Sequence, residues 1–218
     1  MAYDVNECES WPNIPVTVIP RFDQPSYNYN VNLNQVQALA NNPKRSVHGG
    51  HHGITLGLTQ YEPIIQFVAP MKGIKMPNGL ACAHVEHLEA TIGYKNVVIY
   101  IPREVPQGSC GFDQVMAHEQ KHIEVNRQIL VEYTPRIQQK LQEYLKINGV
   151  FKQIQADYAE KLLNERLQAI LNETAMQVFT ENSRRQQLVD TAEEYRRVNS
   201  MCNGQLGKTA THYMQQGR

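Results

Sequence analysis

The pattern of apolar and polar positions changes at about residue 108. Before that point apolar residues alternate with polar ones, and prolines and glycines interrupt them at short intervals, which is typical of strands joined by turns. The pattern predicts a short helix over 35–40 and strands over 27–33, 54–58, 64–68, 82–91 and 97–101. We therefore expect a small, mainly antiparallel sheet in this part of the chain.

After residue 108 apolar residues recur at helical spacing, among many Gln, Glu, Leu and Arg residues. Pro135 and the pair Asn148-Gly149 are expected to interrupt the helices, and a long antiparallel helix should follow over about 151–182. A further helix is expected over 185–199. The sequence predicts a single α+β domain over 1–218, mainly β over 1–108 and mainly α over 109–200, with a loose polar tail over 201–218.

The motif His118-Glu119-Gln120-Lys121-His122 lies within the first of these predicted helices. Residues four apart share one face of a helix, so the two imidazoles can converge on one metal ion. Val115 and Ile129 fall on the same face, which places both histidines on the buried side. This H-E-x-x-H spacing predicts a zinc site in which Glu119 acts as the general base. The alternative is an ordinary helix with two core or surface histidines.

A catalytic zinc site normally takes three protein ligands and one water molecule. We expect one Zn²⁺ per chain, and Glu173 on the long second helix is the best candidate for the third ligand, by analogy with thermolysin-like enzymes. Asn126 or Glu124, one turn beyond His122, is a candidate for orienting an imidazole. Other ligand candidates are less favourable or too far along the chain: Glu132, His84, His87, His212 and the loop histidines His48, His51 and His52.

Charge and composition limit the partners of the protein. Acidic and basic residues balance at 21 each, so the sequence lacks the basic surface that nucleic-acid binding requires. No apolar run approaches the roughly 18 residues needed to span a bilayer, so we expect a soluble protein without a membrane span. The first residues lack the features of a signal peptide. The chain is therefore expected to be either cytosolic or a mature form whose leader has been removed.

Four cysteines bear on the compartment: Cys8, Cys82, Cys110 and Cys202. None forms a C-x-x-C pair, and an even number of widely spaced cysteines fits two disulfides in an oxidising compartment. Three connectivities are possible. We favour Cys82–Cys110 with Cys8–Cys202, because the first pair brackets a strand region and the motif helix. Free buried thiols are the alternative.

The order of these features resembles a family of bacterial predicted secreted zinc-dependent proteases, long catalogued as a domain of unknown function. The resemblance covers about residues 25–135 and includes the tyrosine-rich segment 27–33, Cys82, Cys110 and the H-E-x-x-H motif. It implies zinc held by His118 and His122, Glu119 as the general base, and a secreted or periplasmic location. Members of that family often have glycine where this chain has Lys121, so access of the substrate is expected to differ.

The sequence as a whole predicts a zinc metallopeptidase acting on a peptide or protein substrate, with the oligomeric state left open. The strand over 97–101 is either an edge strand that binds the substrate backbone or a central strand of the sheet. A non-enzymatic envelope or binding protein with a structural or vestigial metal is the alternative function. A cell-wall amidase or endopeptidase would use the same metal chemistry on a different substrate.

Overall fold

A computed structural model describes residues 13–41, 46–48, 54–75, 78 and 80–216 of the chain. The helices are α1 Leu33–Ala40, α2 Cys110–Asn148, α3 Ala156–Val189 and α4 Ala192–Gln216. The strands are β1 Val16–Phe22, β2 Ser26–Asn28, β3 Ser46–His48, β4 Leu58–Val68, β5 Met71–Lys75, β6 Ala81–Val85, β7 Leu88–Tyr100 and β8 Val150–Ile154. The fold is α+β, as predicted. Strand β7 ends and α2 begins close to the predicted change at about residue 108, but strand β8 lies in the part predicted to be helical.

The described strands form two sheets. One has the order β1-β7-β4-β3, with β2 paired in parallel to β7, and the other is the antiparallel sheet β5-β6-β8. Strand β7 is therefore bordered on both sides, and its residues Val98–Tyr100 pair with Ser26–Asn28. The prediction of a free edge over 97–101 is wrong, and the alternative of a central strand is confirmed.

The chain forms two compact units. The first unit comprises Met1–Arg21, Ile64–Gly93 and Leu130–Val178, and the second comprises Phe22–Pro63, Tyr94–Ile129 and Phe179–Arg218. The first unit contains the antiparallel sheet and the adjoining stretches of α2 and α3. Its interior is built from leucines and isoleucines at helical spacing, including Ile137, Leu141, Leu145, Leu163, Leu167 and Leu171.

The second unit has an aromatic centre. The Tyr94 ring is 1% exposed and packs against Phe22, Tyr61 and Phe179, with centroid separations of 6.4, 4.6 and 5.8 Å. Helix α1 begins at a capping box, in which the Asn32 side chain accepts from the Gln35 backbone N–H and the Gln35 side chain accepts from the Asn32 backbone N–H. This cap ends the extended segment earlier than the strand predicted over 27–33.

A disulfide joins Cys110, the first residue of α2, to Cys202 in α4. Residues Met201–Gly204 leave the helical conformation, and Cys202 and Asn203 have positive φ values of 57° and 58°. The predicted pairs Cys82–Cys110 and Cys8–Cys202 are therefore wrong, because spacing along the chain does not reveal which helix ends meet. Cys82 is also disulfide-bonded, and Cys8 lies outside the described residues.

Several predicted helix boundaries also differ from the structure. Strand β8 occupies the start of the helix predicted over 151–182, and the helix predicted over 185–199 contains the end of α3 and the start of α4. Helix α2 continues through Pro135, because Leu130 before it and Ile137 after it are buried and anchor the helix on both sides. Proline has no N–H to donate to the carbonyl of Val131, but Val131 is 75% exposed to water. The predicted loose tail is helical as far as Gln216, after the break at Met201–Gly204. None of the helices among the described residues is long and apolar enough to cross a membrane.

Candidate metal centre

Helix α2 presents the motif histidines from one buried face. His118 and His122 are 9% and 1% exposed, and Val115 and Ile129 on the same face are buried, as predicted. The ring centroids of the two histidines are 5.0 Å apart, and their Nε2 atoms are 3.3 Å apart. Two polar rings held this close in the interior need a common polar partner.

Asp190 provides that partner from the residue that follows α3. Its Oδ1 atom lies 3.1 Å from His118 Nε2 and 3.3 Å from His122 Nε2. A tetrahedral zinc ion with bonds of ~2.0–2.1 Å would separate its ligand atoms by about 3.3 Å. The three atoms already have nearly this spacing, so the His118–His122–Asp190 group could hold a metal ion.

Glu173 lies outside this group. Its carboxylate accepts a hydrogen bond from Lys140 Nζ at 2.8 Å, and its side chain is 62% exposed. The adjacent Thr174 and Ala175 occupy the buried face of α3 instead. Glu173 is therefore not a member of the group, and its third member is Asp190, seventeen residues further along the chain.

The other ligand candidates also lie outside the group. His84 is in β6 and His212 is in the last part of α4, beside Lys208 and Tyr213. His87 is exposed, and Glu132 belongs to the stretch of α2 in the first unit. The side chain of His48 and the residues His51 and His52 are not described.

Glu119 is the second carboxylate of the site, and it is more deeply buried than Asp190. It is 2% exposed, and Thr59 Oγ1 donates a hydrogen bond of 2.7 Å to its Oε2 atom. Burial raises the pKa of Glu119, while His122, His118 and Thr59 act in the opposite direction. The backbone of Gly57 approaches so closely that a Cβ there would lie 2.6 Å from Glu119 Oε1 and 2.5 Å from Val115 Cγ1.

The Asp190 carboxylate and the His122 imidazole shift each other's pKa values. Burial by itself would raise the pKa of Asp190, but hydrogen bonds from His118 and His122 hold it well below its usual range. Burial lowers the pKa of His122, but the bond to Asp190 and the charges of Glu119 and Asp190 outweigh that effect and raise it to about 8. Without a metal, His122 is therefore mostly protonated at neutral pH, and its positive charge balances the negative charge of Asp190.

His118 also has a carboxylate on its far side. Glu194 Oε1 lies 3.5 Å from His118 Nδ1, and Glu194 accepts hydrogen bonds from Lys121 and Arg197. The Arg197 hydrogen bond is the main cause that holds the pKa of Glu194 well below its ordinary value. An ionised acceptor at Nδ1 leaves Nε2 of His118 free to face the centre of the group.

The group opens into a cleft of the second unit with polar groups at its base. The walls are mostly apolar and include a tyrosine whose ring centroid lies 6.1 Å from that of His118. The lining residues other than the His-His-Asp group and Glu119 are Ile54, Thr55, Leu56, Gly57, Val115, Tyr195, Val198 and Asn199.

Asp190 could have been found from the sequence by following one stripe of α3. Leu163, Leu167 and Leu171 are buried at intervals of four residues, and Val178 continues the stripe. From Val178 the same steps of four lead to Asn182, Gln186 and Asp190, so the apolar face becomes polar. Thr59, in contrast, is a single residue in a strand and has no comparable pattern around it.

Comparisons of the chain with protein-family models, with curated proteins and with solved structures find no match.

Proposed function

We propose that this protein is a zinc-dependent metallopeptidase that hydrolyses peptide bonds in peptide or protein substrates. The observation that carries the proposal is the position of Asp190 Oδ1, 3.1 and 3.3 Å from the two Nε2 atoms of an H-E-x-x-H helix. These donor atoms, two imidazole nitrogens and one carboxylate oxygen, are a ligand set that zinc accepts. Buried Glu119 lies in the same cleft.

The residues of the site have separable roles in this proposal. Zinc, when bound, supplies a Lewis acid and lowers the pKa of a water molecule toward about 7. Glu119 accepts a proton from the attacking water and passes it to the leaving amine. Thr59 fixes one oxygen of Glu119, so that the other remains available. Gly57 lets the backbone approach that second oxygen without steric conflict.

An open ligand position distinguishes a catalytic site from a structural one. A closed structural zinc site takes four protein ligands. Among the described residues, the group of His, Cys, Asp and Glu side chains at this place has three members. This supports the enzymatic reading over a non-enzymatic envelope or binding protein with a structural metal.

We also propose that the protein belongs to the secreted zinc-dependent protease family that its sequence resembles, and that it works outside the cytoplasm. The Cys110–Cys202 disulfide supports this location, because structural disulfides persist mainly in oxidising compartments.

The substitution Glu119→Gln tests the proposal. It should leave zinc content at one ion per chain and lower the cleavage rate by ~10²–10⁴-fold, because the general base is lost. A mixture of peptides of varied sequence, analysed by mass spectrometry, reports cleavage at whichever bond the enzyme selects. Glu124→Gln is the matched control. Glu124, which the sequence offered for orienting an imidazole, is exposed on the same helix and accepts a hydrogen bond from Gln128 instead. Cleavage by Glu119→Gln at the rate of the unsubstituted protein would refute the mechanism.

A further inference from the structure

A continuous chain of buried polar side chains extends from His122 away from Asp190. All five members are at most 3% exposed and belong to the second unit: His122, Gln186, Asn126, Asn182 and Tyr61. His122 Nδ1 lies 2.5 Å from Gln186 Oε1, and Gln186 Nε2 donates to Asn126 Oδ1 at 2.9 Å. Asn182 Nδ2 then donates both to Asn126 Oδ1 at 2.9 Å and to the Tyr61 hydroxyl at 3.0 Å.

The orientation of the Gln186 amide is determined by its surroundings. Its Nε2 atom donates to the backbone carbonyl oxygen of His122 at 3.1 Å, and that oxygen can only accept. The amide nitrogen must therefore be on this side, and Oε1 must face the imidazole. Because Oε1 can only accept, His122 Nδ1 must carry a hydrogen. The Nε2 atom of a neutral His122 is then left with its lone pair toward His118 and Asp190.

Burying these polar side chains costs free energy, and the needs of packing do not explain why they are there. Buried donors and acceptors without partners destabilise a fold by ~1–3 kcal/mol each. Asn126 Nδ2 and Asn182 Oδ1 are buried and have no hydrogen-bond partner among the described residues. Earlier on the same stripe α3 uses Leu167, Leu171 and Val178, so apolar residues suit such positions. The polar residues therefore point to a role in the site.

We propose that Gln186 is a positioning residue of the metal centre: it holds His122 in the tautomer with hydrogen on Nδ1 and so directs Nε2 at the metal. Asn126 and Asn182 keep the Gln186 amide in the required orientation. The two histidines thus have different supports, a charged carboxylate for His118 and a neutral amide for His122. The inference rests on the metal binding in the proposed function but not on peptide hydrolysis.

Zinc affinity of the purified full chain tests this role. Competition with a chromophoric zinc chelator gives the dissociation constant for the unsubstituted protein, Gln186→Leu and Gln187→Leu. Loss of an outer hydrogen-bond partner of a ligand typically weakens metal binding ~10–100-fold, and we expect this for Gln186→Leu. Gln187 is the adjacent, exposed residue of the same type, so Gln187→Leu should bind zinc as the unsubstituted protein does.

The tautomer itself gives a second readout that does not depend on the stability of a variant. In zinc-loaded, ¹⁵N-labelled protein, the imidazole nitrogen shifts should show His122 with hydrogen on Nδ1 and zinc on Nε2. Zinc on Nδ1, or equal zinc affinity of folded Gln186→Leu and the unsubstituted protein, would overturn the positioning role and leave the metal centre intact. An unsubstituted protein that binds no zinc would overturn both proposals.

Discussion

Helices α2 and α3 each have one stretch with an apolar interior face and one with a polar interior face. In the first unit they bury Leu141, Leu145, Leu167 and similar residues, and the one buried polar side chain described there, Thr174, returns its hydroxyl to the Ile170 carbonyl. The other nine buried polar or charged residues of the described chain belong to the second unit. The same helical period therefore buries apolar side chains in one unit and a cluster of polar side chains in the other.

The difference shows which constraint each interior obeys. An apolar interior requires side chains of a suitable volume and shape, and several residue types can provide them at one position. A polar interior requires a partner for each donor and acceptor, so individual residues become irreplaceable. Substitutions in the apolar interior of the first unit should therefore change stability alone, whereas substitutions among the buried polar residues of the second unit should also change metal binding and the pH dependence.

The largest effect is expected at the corrected third ligand. Asp190→Ala should weaken zinc binding by more than the roughly 100-fold that loss of an outer partner can cause, because a direct ligand is lost. Glu173→Ala should leave zinc content unchanged, since Glu173 bonds Lys140 at the surface. Elemental analysis of both purified variants measures this. Zinc retained by Asp190→Ala and lost by Glu173→Ala would restore the assignment drawn from the sequence.

The next effect concerns the disulfide of the second unit. Replacing Cys110 and Cys202 together by alanine should lower the free energy of unfolding by about 4 kcal/mol, because the bond closes a loop with a sequence separation of 92 residues. Urea unfolding of the metal-free protein gives this quantity. An unchanged midpoint would mean that the bond does not restrict the unfolded chain.

A smaller loss is expected in the apolar interior. Leu141 is 0% exposed in the first unit, and Leu141→Ala should destabilise the protein by about 3 kcal/mol through the cavity that it leaves. The folded variant should still bind one zinc ion with the affinity of the unsubstituted protein. Gln139→Ala, an exposed change on the same helix, is the control for stability. Weaker zinc binding by folded Leu141→Ala would show that the apolar interior of the first unit also affects metal binding, which would contradict the comparison of the two units.

The smallest effect is the pH dependence of the metal-free protein. The pKa of His122 is raised from 6.5 to about 8, so its stabilising contribution is present below pH 6.5 and is lost as the pH rises through about 8. The raised pKa of Glu119 acts with the same sign. The contribution of His122 to the free energy of unfolding is about 2 kcal/mol at most, from the difference between its ordinary pKa of 6.5 and about 8. Urea midpoints at pH 6 and pH 9 measure it.

Zinc affinity should have the opposite pH dependence, because a protonated His122 cannot bind the metal. Affinity should rise roughly tenfold per pH unit up to about pH 8, where one proton is displaced. His87→Gln, a change at an exposed histidine, should leave both pH dependences unaltered. A zinc affinity that is constant between pH 6 and pH 8 would contradict the assigned state of His122.

The sequence predicts features that depend on local period, and the structure confirms the α+β class, the short helix α1 and the buried face of the motif helix. Prediction from the sequence fails where a structural feature depends on residues that are distant along the chain. Pro135 is a helix breaker in local terms, but buried neighbours on both sides keep α2 continuous. Glu173 lies near an apolar stripe of α3. The steps of four that lead from Val178 to Asp190 can be followed in the sequence, but only the fold shows that Asp190 meets the two histidines.

Anomalous diffraction at the zinc edge from crystals of the zinc-loaded protein tests the central claim most directly. We predict one strong peak per chain, about 2.0–2.1 Å from His118 Nε2, His122 Nε2 and Asp190 Oδ1. A zinc peak elsewhere in the chain, or no peak after zinc has been supplied, would contradict the metal centre and the peptidase mechanism that depends on it.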